Sequence, residues 1–197
     1  MKIILATHNE NKVKEMQKIL SKSFSDVNVT SAAKEGFLQE IEENGSSFEE
    51  NAMIKAKAVR KEGYISVADD SGLCVKALGL QPGIYSARFA GEPCSDAGNN
   101  EKLLAMLAGC SDRSAFFVSS IACVLEDGTE FTVTGKADGV ILDAPKGNSG
   151  FGYDPLFYFP PLNKTFAELT TDEKNAVSHR GNALRKFVQE LKKRLDN

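Results

Sequence analysis

The chain has 197 residues, 42% of them apolar and 26% charged. That is ordinary globular composition, with enough chain to bury a sizeable core. A net charge of −3 and a pI near 5.5 give no support for a basic face, so nucleic acid is not an expected partner, while a local basic pocket for a small polyanion stays open. The four cysteines (Cys74, Cys94, Cys110, Cys123) are widely spaced and there are only two histidines, His8 and His179, which argues against a zinc site. No apolar run approaches the ~18 residues of a membrane span, and the apolar run at the start is too short for a signal peptide. A soluble cytoplasmic protein with no membrane partner is expected.

In chain order, Ile3-Ile4-Leu5-Ala6 reads as a short buried strand. The polar segment Thr7-His8-Asn9-Glu10-Asn11-Lys12 follows, then a helix with Val13, Met16, Ile19 and Leu20 on one face. Strand, polar loop and helix start together put free N–H groups and the positive helix end in one place, a ready anion site. Lys12 adds a point charge there. The glycines of a Walker loop are missing, and an ordinary Asn-capped turn gives the same pattern. Residues 21–45 are mixed and polar, with an acidic run over Glu40-Ile41-Glu42-Glu43 that reads as a solvated edge. Ser46 and Glu49 fit a capping box for a helix closed by Gly63, on which Asn51 and Lys55 share a face at i, i+4.

Ile65 to Leu73 is the most informative stretch. An apolar run predicts a buried strand, ending in Asp69-Asp70-Ser71-Gly72 before Leu73 resumes apolar character. Acid groups on a strand end are well placed for a ligand, and neighbouring carboxylates repel unless a cation or proton lies between them. A surface turn is the plain alternative. Pro82-Gly83 marks another turn, and Arg88 is either a surface residue or an anion partner. A short helix covers 99–108. Ala115–Leu125 and Glu130–Val140 then form a hairpin across Asp127-Gly128. Gly147-Asn148-Ser149-Gly150-Phe151-Gly152-Tyr153-Asp154-Pro155 predicts a loop that brings backbone close to a ligand beside exposed aromatics. The final helix, capped by Ser178, has His179 and Arg180 in its first turn and a core-facing stripe from Ala183 to Leu195. The alternation of elements predicts an α/β or α+β chain with a mixed sheet and no clean domain boundary.

Six segments, in order over nearly the whole chain, give a specific resemblance. They are Thr7-His8-Asn9 to Lys12, Ser47 to Ala52, Ala68-Asp69-Asp70-Ser71-Gly72-Leu73, Pro82 to Arg88, Phe151-Gly152-Tyr153-Asp154-Pro155 and Ser178-His179-Arg180. Together they resemble the inosine/xanthosine triphosphate pyrophosphatase family. The resemblance implies one domain over 1–197 with an elongated central mixed β-sheet, two lobes, a nucleotide cleft between them, and a homodimer. It implies Mg²⁺-dependent cleavage of a non-canonical purine nucleoside triphosphate to monophosphate and pyrophosphate. By position, Thr7, His8, Asn9, Glu10, Asn11 and Lys12 would hold the triphosphate. Glu42 and Asp70 would bind the metal, with Glu40 and Glu43 as alternatives to Glu42. Asp70 would also accept the proton of the attacking water, and Lys55 and Ser71 would touch phosphate. Phe151, Gly152, Tyr153, Asp154, Lys174, His179 and Arg180 would hold the base, Phe151 by stacking and the last two by reading its 6-oxo group. His8 and Glu10 depart from the small residues common in that family, and Glu10 adds negative charge beside the phosphate loop. A Maf-like pyrophosphatase and a non-hydrolysing nucleotide sensor are the other readings.

Overall fold

The structure is a computed structural model and describes residues 1–196. Seven strands form one mixed sheet in the order β2-β1-β3-β4-β5-β6-β7. They are β1 (Lys2–Leu5), β2 (Asn28–Ser31), β3 (Ile65–Val75), β4 (Ser114–Val124), β5 (Glu130–Ile141), β6 (Phe157–Phe159) and β7 (Lys164–Thr165). β1 pairs in parallel with both β2 and β3, while β5–β6 and β6–β7 are antiparallel. The helices are α1 (Glu10–Leu20), α2 (Phe48–Ala58), α3 (Asp96–Met106), α4 (Thr171–Val177) and α5 (His179–Leu195). No helix among the described residues is long and apolar enough to cross a membrane.

The chain divides into two compact units. The first comprises residues 1–70, 119–135 and 183 onward; the second comprises 71–118 and 136–182. In the first, the apolar face of α1 (Val13, Met16, Leu20) and the stripe of α5 (Ala183, Leu184, Phe187, Leu191) pack with Ile3, Leu5 and Val67. That is the 3.6-residue period visible in both helical sequences. In the second, Leu103 and Leu107 join Leu73, Phe117, Ile141, Phe157 and Phe166. Phe117 and Phe157 lie 4.6 Å apart by ring centroids, and Phe157 meets Phe166 edge-on at 4.7 Å.

Three expectations about local structure are corrected. β3 does not end at the acidic pair but runs through it to Val75 as continuous extended chain. The cap of α2 is Ser47, accepting from Glu50 N–H at 3.1 Å, rather than Ser46. Ser46 instead gives both its N–H and its hydroxyl to the Glu50 carboxylate, so two successive serines share the roles that a capping box gives to one. α2 closes at Ala58 rather than at Gly63, which takes a left-handed conformation (φ +76°) in the turn before β3. β2, β6, β7 and α4 have no counterpart in the sequence reading. Each is seven residues or shorter, and α4 buries none of its side chains, so hydrophobic periodicity has nothing to report there.

Candidate active site

In the first unit the loop between β1 and α1 is an Asn-capped turn whose N–H groups at Asn9, Asn11 and Lys12 are bonded within the loop. Asn9 caps α1 by accepting from Asn11 N–H at 2.9 Å, and the Thr7 hydroxyl accepts from Asn9 N–H at 3.1 Å. His8 and Asn11 are exposed at its rim. Glu10 is turned away from this role. Its carboxylate accepts from Lys34 at 2.6 Å and Ser31 at 2.9 Å, and those two bonds hold it below the usual carboxylate range. The negative charge that looked out of place beside an anion loop is thus locally matched. Lys12 from the first turn of α1 lies on both oxygens of Asp69, at 2.9 and 3.0 Å.

The adjacent carboxylates do not share a cation. Successive side chains of an extended strand point to opposite faces, so Asp69 meets Lys12 while Asp70 meets Lys55 of α2. Lys55 Nζ lies 3.1 Å from Asp70 Oδ1 and 2.8 Å from Glu43 Oε1, with only 12% of either the Lys55 or the Asp70 side chain exposed. Burial raises the Asp70 carboxyl above its usual range; Lys55 draws it back down only in part, and nearby Glu43 pushes it up again. On the lysine, burial opposes the charge, but Asp70 and Glu43 outweigh it and raise the ammonium. Asn51, one turn before Lys55, uses its Oδ1 to accept from Gly45 N–H at 2.8 Å, fixing the segment that carries Glu43. Its amide favours the ionised form of Asp70 without closing a hydrogen bond to it. Asp70 Oδ2 is therefore a buried acceptor with no hydrogen-bond partner among the described residues, an arrangement folded proteins seldom leave without a use.

Glu42 is exposed, whereas Glu43 is half-buried and brought to Lys55. Ser71 follows Asp70 in β3 and is half-buried, at the start of the second unit.

In the second unit the 147–155 loop is held from several sides. Asp154 is buried, pairs with Lys174 of α4, and accepts from Phe151 N–H at 2.9 Å. Lys174 Nζ also lies over the Phe151 ring at 5.0 Å from its centroid. Phe151 is 67% exposed, a flat apolar face left open. Tyr153 is not exposed as expected: it is buried, and its hydroxyl donates to Ser86 O at 2.8 Å. A phenol with one polar tip satisfied sits well in a core. Gly150 has φ +83°, and a Cβ there would stand 2.2 Å from Asp154 Oδ2. Gly150→Ala is expected to lower the thermal midpoint, since the left-handed backbone alone costs about 1–2 kcal/mol and the clash adds to it. An unchanged midpoint in a melting experiment would show that the loop relaxes freely.

His179 begins α5, with its ring stacked on Phe117 at 4.7 Å and 16°, and Arg180 is half-buried beside it. Ser178 caps that helix, accepting from Gly181 N–H at 3.1 Å, as expected. The sequence reading gave Glu43 only as an alternative to Glu42, gave Asp69 no cation of its own, and began the α3 helix at Asn99 rather than at Asp96. Ser95 was legible as a cap for α3, where it accepts from Gly98 N–H. Gly98 inside the first turn obscured that start and placed the helix at Asn99.

This is a mixed α/β protein with one carboxyl oxygen of Asp70 left without a hydrogen-bond partner beside Lys55, and with a lysine-backed aromatic loop that leaves Phe151 open. Residues 3–190 match the Ham1 family, and the chain belongs to it. It is 49% identical to the dITP/XTP pyrophosphatase of Clostridium perfringens, over 97% of each chain. It is 48% identical to the dITP/XTP pyrophosphatase of Bacillus subtilis, over 95% of this chain and 96% of that one. Among solved structures, the Ham1 protein of Staphylococcus aureus superposes with a TM-score of 0.92 at 40% identity, covering 98% of this chain and all of that one. A HAM1 protein from Coxiella burnetii gives 0.91 at 41% identity, over 98% and 99%.

Proposed function

We propose that the chain hydrolyses non-canonical purine nucleoside triphosphates (dITP, ITP, XTP and dXTP) to the monophosphate and pyrophosphate, removing them from the nucleotide pool. The observation that carries the chemistry is Asp70: half-buried, raised in proton affinity, held by Lys55 through one oxygen and without a hydrogen-bond partner at the other. The names of the relatives at 48–49% identity support the substrate class.

In this reading Asp70 Oδ2 accepts the proton of a water that attacks the α-phosphorus. A general base works best with a proton affinity raised toward the operating pH, and burial moves Asp70 that way. Lys55 and Ser71 meet phosphate oxygens, as do Lys12 and the positive end of α1. The set fits a Mg²⁺ ion, which takes one or two carboxylates and otherwise phosphate oxygens and water. The carboxylates of Asp70 and Glu43, which converge on Lys55, would hold it. When bound, Mg²⁺ neutralises phosphate charge and polarises the phosphorus. Phe151 stacks the base, and Gly152, Tyr153, Asp154 and Lys174 keep that face in place. One face of His179 is covered by Phe117, so the imidazole addresses a base with its edge. His179 and Arg180 donate to a 6-oxo group, and adenine's amino group would leave such donors unpaired, the strong form of rejection. Guanine shares the 6-oxo group, so its rejection falls to the 2-amino group. A homodimer belongs to this reading through the resemblance alone, and a cytoplasmic location through the composition of the chain.

The test is a panel of ITP, dITP, XTP, GTP, ATP and dTTP with Mg²⁺, measuring pyrophosphate, orthophosphate and monophosphate. Fast release of pyrophosphate from the inosine and xanthosine nucleotides alone is expected. Equal rates for ITP, XTP and GTP would overturn the 2-amino argument, and release confined to dTTP would overturn the purine reading.

A further inference from the structure

Phe151 presents an open ring, yet the residue after it has no side chain with which to anchor the loop tip. Gly152 adopts φ +61°, with open space where a Cβ would be. Both of its backbone groups are instead taken by α3. Asp96 Oδ2 accepts from Gly152 N–H at 2.7 Å, and Asn100 Nδ2 donates to Gly152 O at 2.9 Å. Positions 96 and 100 stand one turn apart on one helix face, so a single rigid element grips the two peptide planes that flank Gly152. The Asn100 amide orientation is fixed by this partner, because a carbonyl oxygen only accepts.

The gripping helix is itself anchored. Asn99, buried, accepts from Ala90 N–H at 2.7 Å and donates to Ala87 O at 2.9 Å, while Leu103 and Leu107 are fully buried. Asn99 Nδ2 also reaches Ser86 O at 3.3 Å, the carbonyl that receives the Tyr153 hydroxyl. Loop and helix therefore share one fixed point besides the Gly152 contacts.

We infer that Asp96 and Asn100 are positioning residues for base recognition, holding the Phe151 ring in its stacking orientation before a purine arrives. A ring ordered in advance does not lose that freedom on binding, so the clamp acts on affinity for the base and not on the chemical step. This rests on the reading of Phe151 as the stacking surface.

The test compares Asp96→Ala, Asn100→Asp and the conservative Asp96→Asn, whose amide oxygen still accepts from Gly152 N–H. Loss of one such bond is expected to raise the KM for ITP about tenfold, with kcat within about twofold. Product inhibition by inosine monophosphate should weaken by the same factor, inhibition by inorganic pyrophosphate should not change, and Asp96→Asn should behave as the parent. Equal weakening of both inhibitors, or of neither, would overturn the inference. A second readout is independent of turnover. The chain has no tryptophan, so Phe151→Trp provides a single tryptophan at the loop tip, excited selectively over the tyrosines. Adding Asp96→Ala or Asn100→Asp should lower its anisotropy, while Asp96→Asn should not. Unchanged anisotropy would overturn the clamp even if ITP is hydrolysed. Lowered anisotropy in a parent inactive on ITP would uphold the clamp and overturn the proposed substrate instead.

Discussion

Asp70→Asn is expected to lower kcat for ITP by about 10²–10⁴-fold, the usual contribution of a positioned general base, while leaving the thermal midpoint at or above that of the parent. The two halves of this expectation have one cause. The Asp70 carboxyl is harder to ionise in the fold than in the open chain, because burial outweighs the attraction of Lys55. Its charge is thus carried at a cost to stability. The amide is nearly isosteric, removes that cost, and leaves Lys55 paired with Glu43 at 2.8 Å. What the amide cannot do is take a proton from water. Activity within tenfold of the parent, in a folded variant, would assign the proton to another group.

Lys55→Met is the second large effect and acts in the opposite sense on stability. It leaves Asp70 and Glu43 facing each other without their shared cation. Breaking a buried pair costs ~3–5 kcal/mol, and partial exposure of Glu43 places the expected loss near the lower end, at about 3 kcal/mol. The loss depends on pH. Asp70 has a folded-state proton affinity above its unfolded one, so folding is favoured below the unfolded value of about 3.8 and weakened as pH rises through the folded value. Without Lys55 the folded value rises further and that window widens. Urea unfolding in metal-free buffer should therefore show a larger deficit for Lys55→Met at pH 8 than at pH 5. Equal deficits at both pH values, or none, would contradict the account. Activity on ITP should fall by at least about 10²-fold, since a phosphate partner and the orientation of Asp70 are lost together.

The contrast between these variants shows what was legible in the sequence. Residue types at the site, and the elements that carry them, could be read because each rests on a local rule. Asn9 caps a helix, Asn51 and Lys55 stand at i, i+4, and Ser178 precedes an amphipathic stripe. Pairings could not be read, because they are set by packing between elements distant in sequence. Asp69 and Asp70 look like one repulsive pair until β3 is seen to continue through them and send them to opposite faces, each to its own lysine. Glu42 and Glu43 are indistinguishable in an acidic run with no periodicity, and only the anchoring of Gly45 by Asn51 selects Glu43 for Lys55. Tyr153 resembles an exposed loop aromatic because its buried partner is the Ser86 carbonyl, 67 residues away. Asp96 and Asn100 act through the backbone of Gly152, which leaves no trace in side-chain pattern.

Attack of water on the α-phosphorus is tested most directly by hydrolysis of ITP in ¹⁸O-labelled water, read by mass spectrometry of both products. Label confined to inosine monophosphate, with unlabelled pyrophosphate, is the expected result. Label in pyrophosphate, or orthophosphate as the first product, would place the attack at another phosphorus and contradict the role given to Asp70.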